Sequence, residues 1–260
     1  MSARGSRQYH PFREFPGGIF SPRHRIRPIR AVRSMRALIA NPEATGEVFK
    51  IIEALKGGSL ARAVERLRQC ESGRRLLAAR PCITDILSAR EQLAAMPEGS
   101  LGRAYLDFVS TQQLSADGLV AASEEASRNA SLDADEQWMG SRLRDIHDLQ
   151  HVLTGYGRDE LGELCLLAFM TTQTYNRGIS FIVFVGRRQF RRQLPDLPVE
   201  VCVEEGRRIA SAAAWLPAIP WEERLAESLE SLRSELGLQP PVQYARAHEC
   251  WPDASPAAPA

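Results

Sequence analysis

The strongest constraint on this chain is a rhythm. From residue 42 to residue 237 apolar side chains recur every three to four positions, and stretches alternating apolar with polar residues are few and short. A 3.6-residue period paints an apolar stripe along one face of a helix, whereas a strand needs a period of two. The sequence therefore predicts an all-α protein, a single helical domain of about seven or more helices. Helix starts are expected near Pro42, after Gly58, at Ser100, near Asp135, near Arg158, near Pro198 and at Pro220. Each lies beside a residue type that begins or ends helices.

The domain is expected over residues 41–238, between a basic N-terminal arm (1–40) and a Pro/Ala-rich C-terminal tail (239–260), both flexible. Between Leu114 and Asp135 the polar, alanine-rich composition predicts a loop with a short helix. With 260 residues, 44% of them hydrophobic, the chain can bury a core. A net charge of +1 points away from a nucleic-acid partner. Charge is uneven, however: Arg4, Arg7, Arg13, Arg23, Arg25, Arg27, Arg30, Arg33 and Arg36 face only Glu14 in the first forty residues. An organelle transit peptide, a patch for anionic lipid and a solvated terminus all fit that arm. Of 33 basic residues only Lys50 and Lys56 are lysines, so arginine richness is a property of the whole chain. No uninterrupted apolar run follows the first charges, which excludes a Sec-type signal and predicts that the protein stays where it is made or enters an organelle.

The cysteines (Cys70, Cys82, Cys165, Cys202 and Cys250) are odd in number and contain no C-x-x-C pair, against a disulfide framework or a cysteine zinc knuckle. A reducing compartment follows, with Cys165 and Cys202 read as core. Two apolar runs, LCLLAFM and ISFIVFV, are separated by Asn176 and Arg177. Each is too short for the roughly 20 residues of a membrane-spanning helix. Buried helices and the walls of an apolar cavity both fit them. The Arg187, Arg188, Arg191 and Arg192 cluster that follows is either a headgroup site or the solvated end of a helix.

The chemistry concentrates at His147-Asp148-Leu149-Gln150-His151. Four-residue spacing puts both imidazoles on one helical face, one turn apart, which is how a helix offers two nitrogens to one cation. A break at Thr154-Gly155-Tyr156-Gly157 lets the chain reverse, and Glu163 follows near the start of the next helix, where its carboxylate can complete a site. The zinc-peptidase pattern H-E-x-x-H has glutamate where this chain has Asp148, so a peptidase reading is weak. From the residues alone, a metal site and a pair of structurally satisfied histidines stand as equal alternatives.

His-Asp-x-x-His, eleven residues and Glu is also the mark of the Coq4 family of coenzyme Q (ubiquinone) biosynthesis proteins, which this sequence resembles beyond the motif. Arg144 precedes His147 by three, Leu-Gly-Glu surrounds Glu163, and GRRLLAARP (Gly73–Pro81), LGRAYLDFV (Leu101–Val109) and WEERLAESLESLRSELGL (Trp221–Leu238) follow the family pattern. The resemblance covers roughly residues 40–238 and departs from the family over residues 170–195. It implies a divalent metal, zinc foremost and iron or manganese as alternatives, held by His147, Asp148, His151 and Glu163, with Asp148 and Arg144 as catalytic candidates. Arg144 could pair with Asp148 or meet a substrate carboxylate, and a plain structural salt bridge is the foremost reading. The resemblance further implies a homodimer attached to the membrane surface that handles a polyprenyl-benzoate or quinone lipid alongside other ubiquinone biosynthesis proteins. The activity implied is oxidative decarboxylation of a polyprenylated 4-hydroxybenzoate-type intermediate; a non-catalytic, prenyl-lipid-binding scaffold is the alternative. The expected location is the bacterial cytoplasm, peripheral to the inner membrane, or else the matrix face of the mitochondrial inner membrane.

Overall fold

The computed structural model describes residues 25–41, 44–110 and 132–251. The loop expected between Leu114 and Asp135 lies mostly outside them, as does most of the N-terminal arm. Fifteen α-helices and one 3-10 turn make up the described chain, with no strand. All-α architecture, read from periodicity, is what the chain adopts.

The first seven helices are α1 (Pro28–Ala40), α2 (Thr45–Leu55), α3 (Ser59–Arg68), α4 (Glu71–Ala79), α5 (Ile83–Leu87), α6 (Arg90–Ala94) and α7 (Leu101–Ser110). After the undescribed stretch come α8 (Ala134–Asp145), α9 (His147–Thr154), α10 (Glu160–Thr174), α11 (Arg177–Gln193) and α12 (Val199–Ala212). A 3-10 turn (Leu216–Ala218), α13 (Trp221–Arg224), α14 (Leu229–Glu235) and α15 (Val242–Cys250) complete the chain. The folded unit thus exceeds the 41–238 limits expected from the sequence. Helix α1 lies in the segment read as an arm and packs on α2, and α15, in the segment read as a tail, packs on α10 and α12. Helix α1 buries Ala31, Ser34 and Met35 at helical spacing, whereas α15 has a weak apolar pattern and gains its order from burial of Tyr244 and Ala247.

The core is organised around α10, which is buried on most sides and packs on α11, α12 and α15. Leu161, Cys165, Leu166, Ala168 and Phe169 are essentially inaccessible there, each large apolar side chain contributing roughly 1.5–3 kcal/mol of transfer free energy. Cys165 and Cys202 are both wholly buried, as their apolar settings suggest. Helices α10 and α12 approach closely at Gly206, where a Cβ would stand 2.7 Å from the Cys165 carbonyl oxygen. Asn176 and Arg177, which interrupt the apolar run in the sequence, mark a junction between helices. Tyr175 ends α10 in the left-handed region, and the Asn176 side chain caps α11 by accepting from Gly178 N at 2.8 Å. Among the described residues no helix is long and apolar enough to cross a membrane.

Candidate metal centre

The stretch expected as one helix from Asp135 onward is two. Asp133 starts α8 with a reciprocal cap, its side chain accepting from Glu136 N at 2.8 Å while Glu136 reaches back to Asp133 N. Ile146, at φ −86° and ψ 3°, separates α8 from α9. Both histidines remain on α9, so the one-turn spacing survives the break. Gly155 closes α9 at φ +82°, a left-handed conformation that a Cβ disfavours. Arg233 of α14 donates to the otherwise open carbonyls of Val152 (2.7 Å) and Leu153 (3.0 Å).

Three of the four expected ligands converge. His147 Nε2 and His151 Nε2 are 3.3 Å apart, Glu163 Oε2 is 3.5 Å from His147 Nε2, and Glu163 Oε1 is 3.2 Å from His151 Nε2. Among the described residues, these are the His, Cys, Asp and Glu side chains whose donor atoms cluster in this way. The lone pairs of two neutral imidazoles and a carboxylate this close repel unless a proton or a metal cation lies among them. A tetrahedral ion with ligand bonds of about 2.0–2.1 Å has donor edges of about 3.3–3.4 Å, so the triangle fits such an ion. His151 is fully buried and its Nδ1 lies 3.0 Å from the Tyr156 carbonyl oxygen. A carbonyl only accepts, so Nδ1 carries the proton and the Nε2 lone pair is left for the centre.

The carboxylate and the imidazoles stabilise each other's charged forms. Burial disfavours the His147 imidazolium, but the Glu163 carboxylate and, behind it, Asp148 outweigh that and raise the His147 pKa above its ordinary value. Burial alone pushes Glu163 up, yet its two histidine partners hold it well below the usual carboxylate range. Glu163 remains 37% exposed, so solvent shares in that stabilisation.

Asp148 stands outside the converging group. Its Oδ1 lies 2.6 Å from Arg158 Nη2, close enough for an ion pair but misaligned for hydrogen bonding, so Asp148 Oδ1 and Arg158 Nε stay without a hydrogen-bond partner. Arg144 makes a plain salt bridge, and not with Asp148. Its Nε donates to Asp145 at 2.7 Å, and the carboxylate expected to receive it, Asp148, faces Arg158 instead. The break at Ile146 puts Arg144 and Asp148 on different helices, whereas the reversal after Gly155 brings Arg158 back across. The Arg158 guanidinium lies 5.0 Å from the Phe108 ring centroid, and Phe108 of α7 stacks on His151 at 5.4 Å. Sequence reasoning missed Arg158 and Phe108; a charged residue inside the reversing turn was the available signal for the first. Tyr105, one turn before Phe108, is buried with Asp148 nearby, and its phenol is pushed up to about 12.

Comparison with known proteins identifies the family. The sequence pattern of the family "Coenzyme Q (ubiquinone) biosynthesis protein Coq4" matches residues 27–242. A rat protein named "Ubiquinone biosynthesis protein COQ4 homolog, mitochondrial" is 28% identical over 187 residues, covering 69% of this chain and 66% of the relative. The Aspergillus fumigatus protein "Ubiquinone biosynthesis protein coq4, mitochondrial" is 31% identical over 176 residues, 65% of this chain and 57% of the relative. This chain thus spans somewhat under two thirds of the length of these curated relatives. A Nostoc punctiforme crystal structure, of a protein provisionally assigned to ubiquinone biosynthesis, shares the fold with a TM-score of 0.62 at 20% identity, over 82% of this chain and 99% of that one. With a family match running from residue 27 to residue 242, this chain belongs to the Coq4 family of coenzyme Q (ubiquinone) biosynthesis proteins.

Proposed function

We propose that this protein carries out a metal-dependent step of ubiquinone biosynthesis, the oxidative decarboxylation of a polyprenylated 4-hydroxybenzoate-type intermediate. The ring carboxylate leaves as carbon dioxide, a hydroxyl supplied by water takes its place on the ring, and dioxygen accepts the two electrons and two protons released and leaves as hydrogen peroxide. The observation that carries this reading is the triangle of His147, His151 and Glu163 donor atoms at 3.2–3.5 Å. Zinc suits its edges and its nitrogen and oxygen donors, and iron or manganese also accept two histidines and a carboxylate. When bound, the ion supplies Lewis acidity toward a phenol or carboxylate oxygen.

The chain's own residues supply the rest. His147 and His151 offer neutral nitrogens, and Glu163 an anionic oxygen that offsets the ion's charge. Asp148 holds Arg158 against Phe108 beside the centre. Arg158, with its Nε unpaired, takes the part of meeting a substrate carboxylate that the sequence alone gives to Arg144. For the membrane surface, α11 offers Phe184, 61% exposed, one turn before the exposed Arg188 and two before Arg191 and Arg192. An exposed aromatic with arginines on one helical face suits an anionic headgroup layer. Other ubiquinone biosynthesis proteins and a second copy of the chain are the partners in this reading. The mitochondrial names of the relatives favour the matrix face of the inner membrane over a bacterial cytoplasm.

The test is metal analysis combined with turnover of a short-tailed prenyl-hydroxybenzoate. His147→Ala and Glu163→Ala are expected to abolish both metal retention and product while leaving association with partner proteins intact. Metal-loaded wild-type protein that gives no oxygen-dependent product, and variants that lose only assembly, refute the enzyme and favour a prenyl-lipid-binding scaffold.

A further inference from the structure

The metal ligands do not hold themselves in place. The reversal between α9 and α10 supplies the Tyr156 carbonyl for His151 Nδ1, and the Asp159 carbonyl accepts from Glu163 N at 2.9 Å. This five-residue turn therefore touches two of the three converging side chains' residues directly. Asp159 also caps α10 through its side chain, its Oδ1 accepting from Gly162 N at 2.9 Å. Whatever fixes the turn fixes the separation of His151 from Glu163.

One side chain far along the sequence does so. Tyr244, 5% exposed on α15, accepts from Gly157 N at 3.0 Å through its hydroxyl and donates the same hydroxyl to Asp159 Oδ2. Its ring meets Tyr156 edge to face, with centroids 5.2 Å apart. Tyr244 is itself anchored. Glu205 of α12, also buried, accepts from Gln243 N at 2.9 Å and Tyr244 N at 3.2 Å, which caps the start of α15. Burial and the neighbouring Asp159 push the phenol well above its ordinary range, so it stays protonated and remains a donor.

We propose that Tyr244 is a positioning residue for the metal centre, its hydroxyl locking the 155–159 turn so that His151 and Glu163 are held at a separation fit for one cation. This rests on the metal reading above. Outer partners that orient ligands typically govern metal affinity by about 10–100-fold. The phenol is one hydrogen bond further out than a usual such partner, and it serves two ligands at once.

The experiment uses the full chain, zinc as the affinity probe and cobalt as the spectroscopic one. Chelator competition gives the zinc Kd, and visible absorption of the cobalt form reports the ligand field. Wild type is expected to bind one equivalent of zinc. Tyr244→Phe keeps the ring and the helix but removes both hydrogen bonds to the turn. It is expected to weaken zinc binding by about 10-fold or more and to shift the cobalt bands, with unchanged helical circular dichroism. If Tyr244→Phe does not fold, Asp159→Asn, which preserves the α10 cap and weakens the Tyr244 contact, is read in the same way. A variant with wild-type Kd and cobalt spectrum, even with a lowered melting temperature, overturns the positioning role while the metal reading stands. Wild-type protein that takes up no zinc overturns both.

Discussion

Arg142, immediately before the metal motif, is the residue whose loss the structure allows to be sized best. Its side chain is 1% exposed and makes four hydrogen bonds: Nη1 and Nη2 to the two carboxylate oxygens of Glu222 at 2.6 and 3.3 Å, Nε to the Pro217 carbonyl at 3.2 Å and Nη2 to the Ile219 carbonyl at 2.6 Å. Arg142→Met retains much of the volume and strands a carboxylate that is only 13% exposed, together with two carbonyls. Removing one partner of a buried ion pair costs about 3–5 kcal/mol. The partial exposure of Glu222 puts the value near the lower end, about 3 kcal/mol. At roughly 2–4 °C per kcal/mol for a chain of this size, the melting temperature falls by about 6–12 °C. Urea unfolding measures the cost directly. Arg142→Met combined with Glu222→Gln is expected to recover part of the loss, because the stranded charge disappears with its partner. A single variant within about 1 kcal/mol of wild type refutes the assignment of Arg142 as the anchor of α8 on residues 217–222.

Two further outcomes follow from the site and its scaffold. Protons compete with metal for His147, whose raised pKa makes that competition begin above the ordinary histidine value, so the zinc Kd weakens as pH falls from 8 to 5. The slope approaches about tenfold per pH unit for each displaced proton, and a flat profile from competition titrations across that range counts against the assigned ligands. Asn176→Ala removes the cap that accepts from Gly178 N and Ile179 N, and a loss of about 1 kcal/mol in urea unfolding is expected; no change means that Asn176 does not nucleate α11.

How much of this was readable in advance depended on the range of the interaction involved. Local signals worked. Gly58, Ser100, Arg158 and Pro198 each lie within two residues of a helix start where the pattern put one, and the i, i+4 histidines share a face because helical geometry gives them no alternative. Signals that need a distant partner did not show. The segment beginning at Pro220 reads as one helix, but Leu225 O and Glu227 O accept from Gly102 N and Leu101 N, and Ser228 caps a new start, so two short helices result. Helix α15 looks like tail because its order comes from Glu205 and from the turn it holds, neither visible in its own residues. At the centre, Asp148 sits next to His147 in sequence but about 100° around the helix from it, and only the chain reversal reveals that Arg158 waits on that side.

The centre joins two elements that are neighbours along the chain, with Glu163 only twelve positions beyond His151. An ion there staples a very small loop, and so restricts the unfolded chain far less than a long-range cross-link does. The architecture is already decided by fully enclosed side chains such as Trp221, Tyr156 and Phe169, without help from the ion. On the proposed metal reading, loading of the ion is thus separable from folding.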